Sequence, residues 1–140
     1  MGLSVSYSNI GTIFFNQDDL INSEIYFKRS LAIAKNIDDK QGLSNLYFQI
    51  ASIDFKQKDF REALQYSDSS LKIANALGYP ENIRNAEEML SKLCAQNGDF
   101  KGAFGHYQKF IQYRDSIAKN EVDQDAIQRK FKDEYAKKEA

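Results

Sequence analysis

Displacing the chain by 40 residues against itself brings like residues into register along most of its length. Leu3, Leu43 and Ile83 coincide, as do Ile10, Ile50 and Leu90, then Ile13, Ile53 and Leu93, then Asp19, Asp59 and Asp99. Ser23, Ala63 and Ala103 share a further position, and so do Leu31, Leu71 and Ile111. A unit this short cannot enclose a core of its own, so each copy must cover its apolar face by stacking on a neighbour. The repeat therefore demands an elongated array.

Within each copy the apolar positions run twice at helical spacing, separated by a short polar turn: NQDD at 16–19, KQKD at 56–59 and QNGD at 96–99. Each copy reads as a helical hairpin. The aspartate closing each turn stands where an N-cap belongs, its carboxylate able to accept from the free N–H groups of the second helix. Longer connectors, NIDDKQG at 36–42 and ALGYPEN at 76–82, are expected between copies, with the only proline, Pro80, at the first turn of a helix. The predicted helices lie at about 3–16, 20–36, 43–57, 60–77, 81–97 and 100–118. Small residues at 11, 51 and 91, and at 23, 63 and 103, would let the two helices of a hairpin approach closely.

These hairpins resemble tetratricopeptide repeats. Tyr7, Ile10, Gly11, Phe14 and Phe27 fill the family's positions in copy one, with Ser23 and Ser30 as its small residues. Tyr47, Ile50, Ala51, Ala63 and Ser70 fill them in copy two, and Leu90, Ser91, Ala103 and Tyr107 in copy three. The chain departs from the family in its period, longer than the usual ~34, in lacking a terminal proline in each copy, and in carrying Glu87 and Phe110 where an aromatic and a small residue belong. The implied fold is all-α, a right-handed superhelix of three hairpins at about 3–37, 43–77 and 83–117 within residues 1–118, with 119–140 as a C-terminal capping or linker helix. The array begins almost directly in a repeat, which reads as a piece of a longer array or as a surface covered by another molecule.

The tail from Arg114 carries seven basic and seven acidic residues, and Val122, Ile127, Phe131 and Tyr135 recur at roughly helical spacing. A seventh helix over about 120–138 is expected, either capping the last hairpin or linking it to a further module. The run Tyr113-Arg114-Asp115-Ser116-Ile117 followed by KFKDEYAKKEA resembles the segment that ends the repeat arrays of bacterial sensor proteins. That resemblance implies a sensory-input role, a parent chain continuing past Ala140, and a location in the cytoplasm or, for a membrane-anchored sensor, the periplasm.

Catalytic chemistry has little to stand on. His106, the only histidine, occupies the position of Tyr26 and Tyr66, and Cys94, the only cysteine, that of Phe14 and Asp54; both read as packing residues. The pairs Asp18-Asp19 and Asp38-Asp39 lie in turns without the ordered spacing of a calcium loop, so no metal or other cofactor is expected. A net charge of −1 gives no field to gather nucleic acid, and no apolar run approaches the ~20 residues that span a bilayer, so direct membrane contact is not expected.

What remains is a binding surface for a protein or peptide partner. In the family the first helices of successive hairpins line a groove. Transferred to this chain, those positions are Val5, Ser8, Thr12, Phe15 and Asn16, then Asn45, Phe48, Ser52, Phe55 and Lys56, then Asn85, Glu88, Lys92 and Gln96. Phe15, Phe48 and Phe55 would form an apolar floor flanked by amides and hydroxyls. The family's clamp for C-terminal carboxylates needs more lysine, arginine and asparagine than Lys56 and Lys92 begin to supply, so chaperone tails are not the expected ligand. The alternative is self-association through the first hairpin or the tail helix.

Overall fold

The computed structural model describes residues Gly2–Glu139, which form six helices. They are α1 (Gly2–Asn16), α2 (Leu20–Asn36), α3 (Lys40–Lys56), α4 (Phe60–Leu77), α5 (Pro80–Gln96) and α6 (Phe100–Glu139). Consecutive helices pack antiparallel, and α3 also touches α5, so the first helices of the hairpins form one layer and the second helices another.

Every turn is closed in the same way. Residues 18, 38, 58, 78 and 98, spaced by 20, all adopt positive φ, between 53° and 78°. The residue after each sends its N–H back five positions: Asp19 to Phe14 O at 2.9 Å, Asp39 to Ala34 O at 3.0 Å, Asp59 to Asp54 O at 2.8 Å, Tyr79 to Ala74 O at 3.2 Å and Asp99 to Cys94 O at 2.9 Å. This left-handed closure satisfies carbonyls that the helix end would otherwise leave bare. The same residue then caps the next helix. Asp19 accepts from Asn22 N, Asp39 from Gly42 N and Asp99 from Gly102 N. Asp59 holds the N-cap position of α4 without a side-chain bond.

The long connectors expected at 36–42 and 76–82 are thereby corrected. Asp39 caps α3 from Lys40 onward, and Pro80 opens α5 at its first position, so each link is as tight as the turn inside a hairpin. The tail needs a second correction, because no separate helix begins near residue 120. α6 runs unbroken from Phe100, and its side chains from Ala118 to Lys138 are exposed rather than laid on the last hairpin.

The core is built between hairpins. Phe27, Leu31 and Ala34 of α2 pack with Leu43, Leu46, Ile50 and Ile53 of α3, and Ala51 and Ala63 pack with Met89 and Leu93 of α5. Small residues bring the helices of each hairpin together as expected. A Cβ added at Gly11 would meet the Phe27 ring at 2.9 Å, and Ser23 Oγ donates to Gly11 O at 2.8 Å. Buried serines cross-bond at the other end: Ser30 Oγ donates to Ser4 O, and Ser70 Oγ to Ser44 O, each at 2.7 Å.

Glu87, one of the departures of copy three, is answered by His106. Tyr7 pairs with Tyr26 in copy one, at 6.0 Å between ring centroids, and Tyr47 with Tyr66 in copy two at 5.9 Å. At the same positions in copy three Glu87 Oε2 lies 2.6 Å from His106 Nδ1. Glu87 is almost fully buried, so the histidine supplies the polar partner without which a buried carboxylate would be costly.

Candidate functional site

Of the fourteen residues singled out for the groove, seven line two hollows in the layer of first helices. Thr12 and Asn16 of α1 face Phe48 and Ser52 of α3 across a hollow of about 250 Å³, with Phe15, Phe27 and Gln49 completing its wall. Asn45 of α3 and Asn85 of α5 line a second hollow of about 370 Å³, together with Asp39, Glu81 and Arg84. Ser8 sits half-buried one turn before Thr12.

Phe55, Glu88 and Lys92 go elsewhere. Phe55 turns toward its own second helix and packs edge-on against Phe60, their centroids 5.4 Å apart. Glu88 and Lys92 pair with each other at 3.2 Å on the exposed side of α5. The apolar floor is therefore made by Phe15, Phe27 and Phe48.

The chemistry of the two hollows differs. In the first, the hydroxyls of Thr12 and Ser52 donate to carbonyls one turn back, Ser8 O and Phe48 O, each at 3.0 Å. Their protons are engaged, and their lone pairs face the opening as acceptors. Gln49 lines the same hollow, and its Oε1 is buried with no hydrogen-bond partner. Lys56 Nζ lies 4.4 Å from the Phe15 ring centroid and 4.0 Å from Asp18, so one cation closes the apolar end. The second hollow is polar, with Arg84 Nε donating to Asn85 Oδ1 at 3.2 Å and Asn82 Nδ2 buried without a partner. Both groove lysines thus already have partners, and neither stands free as a carboxylate clamp would require.

Gln49 escaped the sequence reading, because the residues before and after it belong to the hydrophobic pattern and its equivalent in copy three, Met89, is apolar. Two groups with shifted protonation lie outside the groove. Burial, with Glu24, Glu62 and Asp59 nearby, pushes the Asp54 carboxyl up to about 6. Burial, together with Asp99 and Asp68, pushes the Cys94 thiol up, away from the thiolate form that nucleophilic chemistry needs. Among the described residues no cluster of three His, Cys, Asp or Glu side chains is gathered for a metal.

A family model described as tetratricopeptide repeat matches residues 2–76. Among solved structures, the TPR domain of FLU from Arabidopsis superposes with a TM-score of 0.75 at 20% identity, over 81% of this chain and 95% of that one. BtubC from P. vanneervenii gives 0.74 at 17% identity, over 82% of this chain and 48% of that one. The globular C-terminal domain of LpoP from P. aeruginosa gives 0.64 at 18% identity, over 81% and 97%. No curated protein matches significantly. At these identities the structural likenesses show the fold, an all-α right-handed superhelix of hairpins.

Proposed function

The chain belongs to the tetratricopeptide repeat family, a family of protein-interaction modules, and from that premise we propose that it captures an extended peptide along the layer formed by α1, α3 and α5 without acting on it chemically. The observation that carries this reading is the hollow between α1 and α3, where an aromatic floor meets a buried, unpartnered Gln49 oxygen. A peptide there would place an apolar side chain over Phe15 and Phe48 and donate to the hydroxyl oxygens of Thr12 and Ser52, while its continuation crosses the amides of Asn45 and Asn85. In a larger signalling protein such capture would serve as the input.

The test is selection of a random peptide library on the immobilised protein, followed by fluorescence anisotropy of the enriched peptides. They should share one bulky apolar residue, and Thr12→Arg, which fills the hollow from an exposed position, should weaken them at least ~10-fold with the melting temperature held. Gln65→Arg, exposed on α4 of the opposite layer, should change nothing. Peptides that bind the Thr12→Arg protein as tightly as the parent would exclude the groove. Phe48→Ala is a poorer probe, because Phe48 also packs against the cluster around Met89.

A further inference from the structure

The part of α6 beyond the last hairpin carries two patterns that meet on the same 21 residues, Ala118–Lys138. The first is apolar: Ile127, Phe131 and Tyr135 follow at intervals of four on one helix face and are 52%, 67% and 67% exposed. The second is electrostatic. Residues 118–126 hold Lys119 against Glu121, Asp123 and Asp125, whereas 127–138 hold five basic residues against Asp133 and Glu134. The near-neutral sum over the tail conceals an acidic half followed by a basic half. A parallel partner helix would set like charges side by side, and an antiparallel copy sets each half against its opposite.

We propose that this stretch of α6 pairs antiparallel with the same stretch of a second copy of the chain, about a two-fold axis near Arg129. In that register Ile127 of each copy lies against Phe131 of the other, Glu121 comes opposite Lys137, and Asp125 lies beside Lys132. The pairing is isologous and closes on itself. It also fits the body of the molecule. The end of one α6 comes level with residue 119 of the other, where a hollow of about 690 Å³ between Tyr79, Pro80 and the stretch from Ile117 to Gln124 leaves room for it. The groove on α1 and α3 stays open in both copies, so this pairing is independent of peptide capture.

Sedimentation of the whole chain at tens of micromolar should give a dimer whose dissociation constant rises several-fold with added salt. Reversing the acidic half with Glu121→Lys, Asp123→Lys and Asp125→Lys should yield a monomer of unchanged helicity and melting temperature, since these side chains are exposed. Adding Lys132→Glu, Lys137→Glu and Lys138→Glu to that triple variant should restore the dimer. Spin labels at Asn120→Cys, in a Cys94→Ser background, should lie about 27 Å apart along the axis at roughly 1.5 Å per residue. A monomeric parent, a dimer insensitive to the charge reversals, or labels side by side as in a parallel pair would each overturn the proposal.

Discussion

Asp54 shows how one residue can work against the fold it sits in. Its copies are Phe14 and Cys94, so the repeat assigns an apolar environment to that position, and the carboxylate is 2% exposed with Oδ2 unpartnered. Burial, reinforced by Glu24, Glu62 and Asp59 against the relief from Lys28, raises its protonation point from 3.8 to about 6. A carboxyl with a raised folded value favours the folded state only while protonated. Its contribution is intact below the unfolded value and is lost as the pH climbs toward about 6. Asp54→Asn should therefore leave stability near pH 4 almost unchanged and raise it near pH 7 by about 1–2 kcal/mol, flattening the slope between. Thermal melts of both proteins across that range measure this; parallel curves would show that Asp54 is not the titrating group. The sequence holds the clue, since a single acid interrupts an otherwise apolar register position. The Glu87 and His106 pair was legible on the same terms, because both departures fall in the same copy at positions that face each other in the other two.

At the scale of elements, the turns explain which boundaries could be read. Within each hairpin the polar quartet is flanked by strong apolar periodicity, and the expected breaks at 16–20, 57–60 and 97–100 lie within one residue of the observed ones. Between hairpins, Lys40, Gln41 and Gly42 read as loop from composition, yet the Asp39 carboxylate converts them into a first helical turn. The tail was misread for the opposite reason: no signal of composition marks the absence of a break, and α6 simply continues. The shared closure carries one strained member. Lys58 holds φ at 64° where the equivalent residue at 78 and 98 is glycine and at 18 and 38 aspartate. A lysine side chain pays a steric penalty there that glycine avoids. Lys58→Gly should stabilise the protein by about 0.5–1 kcal/mol after the added entropy of the unfolded chain is counted. Chemical denaturation reads the change, and a loss of stability would mean that the Lys58 side chain contributes more than its backbone costs.

Across the whole molecule, burial peaks in α3 and falls off at both ends, to two residues in α1 and none in α6 up to Lys138. α3 buries seven residues, because it is covered by α2 and α4 and touches α5. In an array held by nearest-neighbour contacts, a helix opens at the cost of its own interfaces, not of the whole. Phe100 and Phe104 remain exposed, and Ser91 Oγ donating to Ala103 O at 2.8 Å is a part-buried polar tie across the hairpin. Opening of α6 should therefore precede loss of α3. Native-state hydrogen exchange, run on the acidic-half charge-reversal variant so that tail pairing adds no protection, should find the slowest amides in α3 around Ile50 and Ile53. Those of α6 between Phe100 and Ile117 should exchange at least ~10-fold faster. Equal protection in the two helices would mean that the chain opens only as one unit, and that Glu87, His106 and the apolar contacts of α5 couple the last hairpin to the rest more tightly than their burial implies. The hollow at Thr12, Phe48 and Gln49 has one wall on α3, the helix expected to be most protected, and the other on α1, which buries only Ser4 and Gly11, so the α3 wall should hold its position while α6 opens.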